Sequence, residues 1–428
     1  MTISMKTIRE ISFGVYDGPH ATPELHDEGA AVFLGIPNLL PDGRINLTAA
    51  RWVAERDISK WTRRVTPQAN DIVFTYEATL NRYAIIPKGD FRFCLGRRTA
   101  LIRPDPSQID HRYLFYYFFS PRWRAQVEAN TLTGATVDRI PLTTFPDFDV
   151  FVPDLREQGQ IAEILSDYDE LIATNQRRIK LLEESARLLY REWFIHLRFP
   201  GHESVPVKVG LPLGWRRQTL GSLCDSVDGA VVQTGPFGSQ LHQHDYKDSG
   251  TPVVMPQDIV GDRIRMNRIA HVDEQTAIRL SRHRLRPLDI VFPRRGDITK
   301  RALVETHQDG FLCGTGCLKI SLPPEPLHPL LLYFQLADPD MVKWIEGQAV
   351  GATMLNLSGA ILRSIECLVP SNDVQERFVD SAHAIRQQID LLEMQSAHLA
   401  NARDLLLPKL MSGQLDVSHI TLPEEVVA

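Results

Sequence analysis

The chain has little of what secreted, membrane-spanning or nucleotide-hydrolysing proteins carry. Its 428 residues include five cysteines, Cys94, Cys224, Cys313, Cys317 and Cys367, an odd count with no CxxC pair. That argues against a disulfide framework and for a reducing cytoplasm. Cys313 and Cys317 have no His or Cys partner at zinc-site spacing, so no metal site is expected. No run approaches the ~18 apolar residues that a membrane span requires, and Met1 to Glu10 lacks a signal-peptide core. A cytoplasmic protein is expected. No glycine-rich loop ends in Gly-Lys-Ser or Gly-Lys-Thr, which excludes P-loop phosphate chemistry. The net charge of -6 argues against a general nucleic-acid coat.

What is present is a duplication. Apolar residues make up 43% and charged residues 23%, ordinary for a globular chain long enough for two or three domains. One half lies over the other at a shift of 217 residues: Gly18-Pro19 on Gly235-Pro236, Tyr116 on Tyr333, Gly134-Ala135-Thr136 on Gly351-Ala352-Thr353, Pro153 on Pro370, Gln158 on Gln375, Leu188-Leu189 on Leu405-Leu406. A period this long is a whole domain with its connector rather than a solenoid unit. Two similar modules should bind two similar things.

Each half opens with short apolar runs broken by Gly, Pro, Asn and Asp, such as Ala31 to Pro37 and Asp289 to Pro293. This is a strand-and-turn pattern. A helical stretch over His111 to Glu128 should turn Tyr113, Tyr116, Tyr117 and Trp123 inward, giving a mixed α+β globule.

The second part of each half has a different period. From Ile161 the steps alternate between four and three: Ile161, Leu165, Tyr168, Ile172, polar Asn175, Ile179, Leu182, Ala186, Leu189, Trp193. Adding the shift gives Phe378, Ala382, Ile385, Ile389, Leu392, Ser396, Leu399, Arg403, Leu406 and Leu410. Both are heptad seams, the second tolerating Ser396 and Arg403. One helix cannot bury its own stripe, and the chain supplies one matching helix. At 1.5 Å per residue, Ile161 to Trp193 makes a rod of roughly 50 Å. A local two-fold axis between the copies would set the two helices antiparallel, as a coiled coil with pseudo-two-fold symmetry. The expected layout is a first globule at 1–155, a spacer helix at 156–200, a second globule at 201–372, a second helix at 373–416 and a loose acidic tail at 417–428.

Local charge qualifies the net value. Between Asp262 and Arg301 eleven basic residues face five acidic ones, and the first half has shorter basic clusters at Arg51 to Arg64 and Arg92 to Arg103. Such runs in both copies suit a phosphate backbone.

Several boxes resemble the specificity subunit of type I restriction-modification systems. They are Asp17 to Pro23, Thr133 to Pro141, Thr234 to Ser239, and Gly351-Ala352-Thr353 followed by Asn356-Leu357-Ser358. Leu181 to Phe194, Phe199 to Glu203 and Arg403 to Leu415 are similar to that family's linker regions. The resemblance covers essentially the whole chain. It implies two target-recognition domains, each reading half of a split DNA sequence, on an antiparallel coiled coil that fixes the unread gap. It further implies that the chain does no chemistry and holds no cofactor. Partners would be double-stranded DNA, two modification subunits that carry S-adenosylmethionine and methylate adenine N6, and restriction subunits that use ATP and Mg. The chain lacks an amino-methyltransferase Asn/Asp-Pro-Pro-aromatic motif, in keeping with a reader. The alternative is a scaffold protein with two ligand-binding globules on paired helices and no nucleic acid.

The repeat also separates reader from holder. Residues shared by both halves suit fold or backbone contact, while divergent polar positions inside matching segments suit base readout. After Asp71 to Phe74 and Asp289 to Phe292 the shift becomes 218, so Tyr76-Glu77 faces Arg294-Arg295 and Arg82 faces Lys300. Tyr76, Glu77, Arg294, Arg295 and Gln240 are therefore candidate base readers, because arginine bonds guanine O6 and N7 while glutamate accepts from cytosine N4. Arg82, Lys300, His20, Thr22, Arg63, Arg64, Arg97 and Arg98 are candidate backbone contacts.

Overall fold

The computed structural model describes residues 4–48, 50–134, 137–349 and 355–417. The boxes Ala135-Thr136 and Gly351-Ala352-Thr353, and the tail after Val417, lie outside the described residues. The chain divides into two compact units, Met1–Arg177 with Leu392–Ala428, and Arg178–Leu391. Helix α1 (Leu155–Tyr190) begins in the first unit and ends in the second; helix α2 (Asn372–Met411) begins in the second and ends in the first.

In the first unit an antiparallel four-stranded sheet has the order Ser12–Asp17, Thr99–Pro104, Ile72–Thr75, Tyr83–Ile85. A three-stranded sheet joins Trp52–Val53, Ala31–Leu34 and Phe93–Leu95, the last pair parallel. Strand Ser4–Thr7 pairs with Asp149–Val152, just before α1. The helical stretch expected from His111 is two helices, His111–Tyr117 and Pro121–Ala129. Ser120 caps the second, and Pro121 at its first turn cannot continue the helix before it. Tyr113, Tyr116, Tyr117 and Trp123 all point into the core, as their spacing predicts.

The second unit repeats this plan. Its four-stranded sheet has the order Val231–Thr234, Cys317–Ser321, Ile290–Pro293, Ala302–Leu303, and Ile290 pairs with Ile320 as Ile72 pairs with Ile102. Its second sheet again ends in a parallel pair, Val253 beside Leu312. Strand Arg216–Thr219 pairs with Glu366–Val369 before α2.

The shared landmarks now have causes. Gln158, buried in the first turn of α1, donates to the Pro153 carbonyl at 2.9 Å and accepts from the Asp110 amide at 2.7 Å. Gln375 does the same in α2, donating to the Pro370 carbonyl at 3.0 Å and accepting from the His328 amide at 3.0 Å. Each glutamine satisfies backbone groups that burial would otherwise leave unpaired, where a strand turns into a long helix.

Every predicted seam residue is buried or half-buried: Ile161, Leu165, Tyr168, Ile172, Ile179, Leu182 and Leu189 on α1, and Phe378, Ile385, Ile389, Leu392, Leu399 and Leu406 on α2. In the first unit Ile161 and Leu165 share a core with Leu407, Leu410 and Met411; in the second, Ala186, Tyr190 and Trp193 share one with Phe378 and Ala382. Within each unit, therefore, the two helix segments run antiparallel. After Tyr190 the backbone makes one wide helical turn over Arg191–Ile195, so α1 stops short of residue 200. Pro408 does not stop α2, which continues to Met411.

Candidate nucleic-acid interface

At one end of the first unit's main sheet, four loops are tied by backbone hydrogen bonds. Gly18 N donates to Thr99 O at 3.1 Å, Tyr76 N to Arg98 O at 3.2 Å, and Ile140 N to Tyr76 O at 2.8 Å. Glu77 and Arg139 form an antiparallel bridge. A Cβ on Gly18 would meet the Gly96 carbonyl oxygen at 2.3 Å, which is why this turn requires glycine.

The second unit carries the same skeleton. Gly235 N donates to Cys317 O at 2.9 Å, Arg294 N to Gly316 O at 2.6 Å, and Leu357 N to Arg294 O at 2.8 Å, while Arg295 bridges Asn356. A Cβ on Gly235 would lie 1.9 Å from the Gly314 oxygen. Ala78 and Gly296, in matching places, both take left-handed backbone, at φ 68° and 82°. The backbone is held in common while the side chains mounted on it differ: Tyr76 against Arg294, Glu77 against Arg295, Arg98 against Gly316, Arg139 against Asn356.

The candidate residues separate on this frame. Tyr76 faces inward, 5% exposed, with its hydroxyl donating to the Arg97 carbonyl at 3.1 Å. Burial, then the Asp17 and Glu77 carboxylates, push that hydroxyl up to about 12. The structure thus sets Tyr76, a candidate base reader by sequence, against the sheet, where its side chain packs in the core. The alternation that turns Tyr76 in turns Glu77 out, where its carboxylate lies 3.5 Å from Arg98 Nε. Arg64 pairs with Asp17 and reaches the Gly18 carbonyl at 3.4 Å; His20 lies 3.0 Å from the same Asp17. Arg64 and His20 therefore brace the Gly18 turn. Arg63, Arg97 and Thr22 are exposed. Arg82 is half-buried, and its Nη1 has no partner among the described residues.

In the second unit Arg295 is exposed. The Arg294 guanidinium lies 5.5 Å from the Phe237 ring centre, and its Nε has no partner among the described residues. Gln240 Oε1 accepts from the Phe237 amide at 3.3 Å and from Arg282 at 3.3 Å, so it is engaged in its own turn. Lys300 Nζ lies 3.3 Å from Asp297.

The basic run of the second half is less open than its composition suggests. Arg301 is 6% exposed and pairs with Asp262, Arg263 pairs with Glu305 and Asp390, Arg279 with Asp245, and Arg284 with Glu274. These cations hold the second unit together. Arg265, Arg268, Arg286 and Arg295 remain exposed.

Arg139 and Asn356, which face Glu77 and Arg295 across these bridges, were not among the sequence candidates. Their signal was available: the shift of 217 sets Arg139 over Asn356 inside otherwise matching boxes.

Comparison with known proteins bears on this duplicated edge. Residues 29–184 match the model of the type I restriction modification DNA specificity domain. Beyond that stretch the chain is similar to type I restriction-modification specificity subunits over most of its length. The MjaIX specificity subunit of Methanocaldococcus jannaschii is 23% identical over 379 residues, covering 86% of this chain and 83% of that one. The HindI specificity subunit of Haemophilus influenzae is 19% identical over 391 residues, covering 78% and 84%. Among solved structures, the type I S subunit of M. genitalium superposes with a TM-score of 0.55 at 16% identity, over 96% of both chains, and so shares the fold. The expected α+β specificity-subunit architecture, with two mixed globules and long helices, is the one observed. Among the described residues no helix is long and apolar enough to cross a membrane.

Proposed function

We propose that this chain is the DNA-reading subunit of a type I restriction-modification complex and itself catalyses nothing. Each unit reads one half of a bipartite duplex target. Two modification subunits, carrying S-adenosylmethionine, methylate adenine N6 at the sites so chosen; restriction subunits, using ATP and Mg, act on unmodified sites. The setting is cytoplasmic. No cofactor is assigned to this chain.

The observation that carries this reading is the common backbone frame with unlike outward side chains. A protein with two halves of one task, and different letters to read in each, needs the same scaffold twice and different donors and acceptors upon it. A scaffold protein binding one ligand at both units would instead keep its contact residues alike.

Mapping N6-methyladenine in the host genome with and without this gene tests the proposal. A split motif that disappears on deletion is the expected result. An unchanged methylome in a host with active modification subunits would overturn it. Gel-shift titration of the assembled complex over a salt series gives an independent check, because phosphate contacts make log affinity fall linearly with log salt.

A further inference from the structure

The two bridged pairs, Glu77 with Arg139 and Arg295 with Asn356, occupy one place in the common frame and nothing in the fold explains their identities. Directly opposed residues of an antiparallel bridge stand on the same face, with Cβ atoms about 5 Å apart. Which face that is follows from alternation. Tyr76 and Ile140, the neighbours of the first pair, are 5% and 1% exposed, and Leu357, beside Asn356, is fully buried. Glu77, Arg139, Arg295 and Asn356 therefore stand on the opposite, outward side. Arg139 and Arg295 are exposed, and Glu77 and Asn356 half-buried. Asn356 Oδ1 is screened from solvent and accepts no hydrogen bond among the described residues.

Both pairs are also held firmly. In the first unit, Arg139 exchanges hydrogen bonds with Leu132 at 2.9 and 3.3 Å, and Ala78 N donates to Asp138 O at 2.9 Å. Ala78, next to Glu77, takes a left-handed conformation that a non-glycine residue adopts only at a cost, so the loop is fixed rather than loose. In the second unit the Arg294 and Leu357 backbones flank the bridge and are joined at 2.8 Å.

We infer that these two bridged pairs are specificity-determining positions, each pair addressing adjacent base pairs of one half-target. Two side chains rooted about 5 Å apart can converge on base pairs that follow at about 3.4 Å. The chemistry assigns partners. The Arg139 and Arg295 forks suit guanine O6 and N7, the Asn356 amide suits adenine N6 and N7, and Glu77, steadied by Arg98, suits a cytosine amino group. This inference rests on the proposed DNA-reading function.

The test transplants one pair onto the other frame. Glu77→Arg with Arg139→Asn is introduced into the full chain, expressed with its modification subunits, and the methylated motif is mapped. The expected result is a change at one or two adjacent positions of one half-target, the other half unaltered. In parallel Asn356→Ala should lower discrimination at one position of the other half by about tenfold. An unaltered motif, or loss of preference spread over both halves, would overturn the inference. If the double variant methylates nothing, Arg139→Ala, which removes only an exposed side chain, decides: full retention of the motif again overturns it. Failure of the broader proposal is separately visible, since the wild-type chain would then direct no split motif.

Discussion

Tyr116 donates its hydroxyl to Asp169 Oδ2 at 2.7 Å, and the same carboxylate pairs with Arg403. Tyr116 comes from the first globule, Asp169 from α1 and Arg403 from α2, so one carboxylate joins three elements of the first unit. At the matching place in the second unit Tyr333 meets Arg386 instead, with the guanidinium 5.9 Å from the ring centre. The repeat preserved the tyrosine and reversed the charge that meets it. Asp169→Ala should destabilise the first unit by about 1 to 3 kcal/mol, because it strips a half-buried arginine of a partner and leaves a buried hydroxyl without its acceptor. Asp169→Asn, which still accepts from Tyr116, should cost less. Chemical denaturation of both variants checks the order.

The two kinds of special glycine should respond differently. Gly296 has open space where a Cβ would go, so Gly296→Ala bears only the left-handed backbone cost, about 1 kcal/mol. Gly235→Ala drives a methyl against the Gly314 carbonyl and should cost more, about 2 to 3 kcal/mol, with displacement of the Phe237 turn. Thermal unfolding of the two variants distinguishes them; equal losses would mean that the close approach at Gly235 is not maintained in solution.

Much of this was legible in the sequence because it is local or repeated. The seams follow from spacing, and Gln158 and Gln375 were marked by the shift before their hydrogen bonds gave the reason. What was not legible depends on contacts distant in sequence. Tyr76 looked like a reader because it diverges from Arg294, but alternation along the strand exit turns it into the core. Arg301 counted as part of a basic face until its pairing with Asp262 placed it inside. The shift sets Arg139 over Asn356, but only the bridge to Glu77, distant in sequence, brings Arg139 beside the loop of the candidate readers.

Burial pushes the thiols of Cys94, Cys313 and Cys367 up to about 12, and that of Cys317 well above its usual range. All five cysteines are free, and Cys224 alone is only half-buried. A colourimetric disulfide reagent at pH 8 should therefore label one thiol in the native chain, slowly, and five after denaturation. Loss of the slow phase in Cys224→Ser would identify the site; rapid labelling of several thiols would contradict the packing.

His283 is buried, its Nε2 faces the Arg282 Nε donor at 2.9 Å, and burial, then the Arg282 charge, lowers its pKa to about 4. The ring must stay neutral to accept from a guanidinium. The unfolded chain takes up a proton there near pH 6.5, so between about 6.5 and 4 the unfolded state binds more protons and stability falls as pH falls. The loss attributable to this one group should be on the order of 2 kcal/mol by pH 4. His283→Gln should flatten that part of the profile. An unchanged slope between pH 7 and 5 would assign the acid sensitivity elsewhere.

Under the proposed DNA-reading function, Lys300 and Arg294 should differ as a residue that holds a duplex differs from one that reads it. Lys300 matches Arg82 across the repeat, and both halves keep a cation there. A lysine ammonium is a compact charge suited to phosphate, and its contact with Asp297 at 3.3 Å is half-exposed and readily exchanged. Arg294 occupies the place of Tyr76 but is half-buried where Tyr76 is buried; its guanidinium reaches the Phe237 ring and its backbone is locked by Gly316 and Leu357. A fixed planar fork reads a base edge better than a mobile charge does. Lys300→Ala should therefore weaken binding to every sequence alike and reduce the salt slope by about one, whereas Arg294→Ala should relax one target position by about 1 to 3 kcal/mol. Binding of the assembled complex to the target, to single-base variants and to unrelated duplex, each over a salt series, separates the two effects. If both substitutions lowered affinity for all sequences equally, Arg294 would belong with the backbone contacts, and base reading in that unit would fall to Arg295 and Asn356.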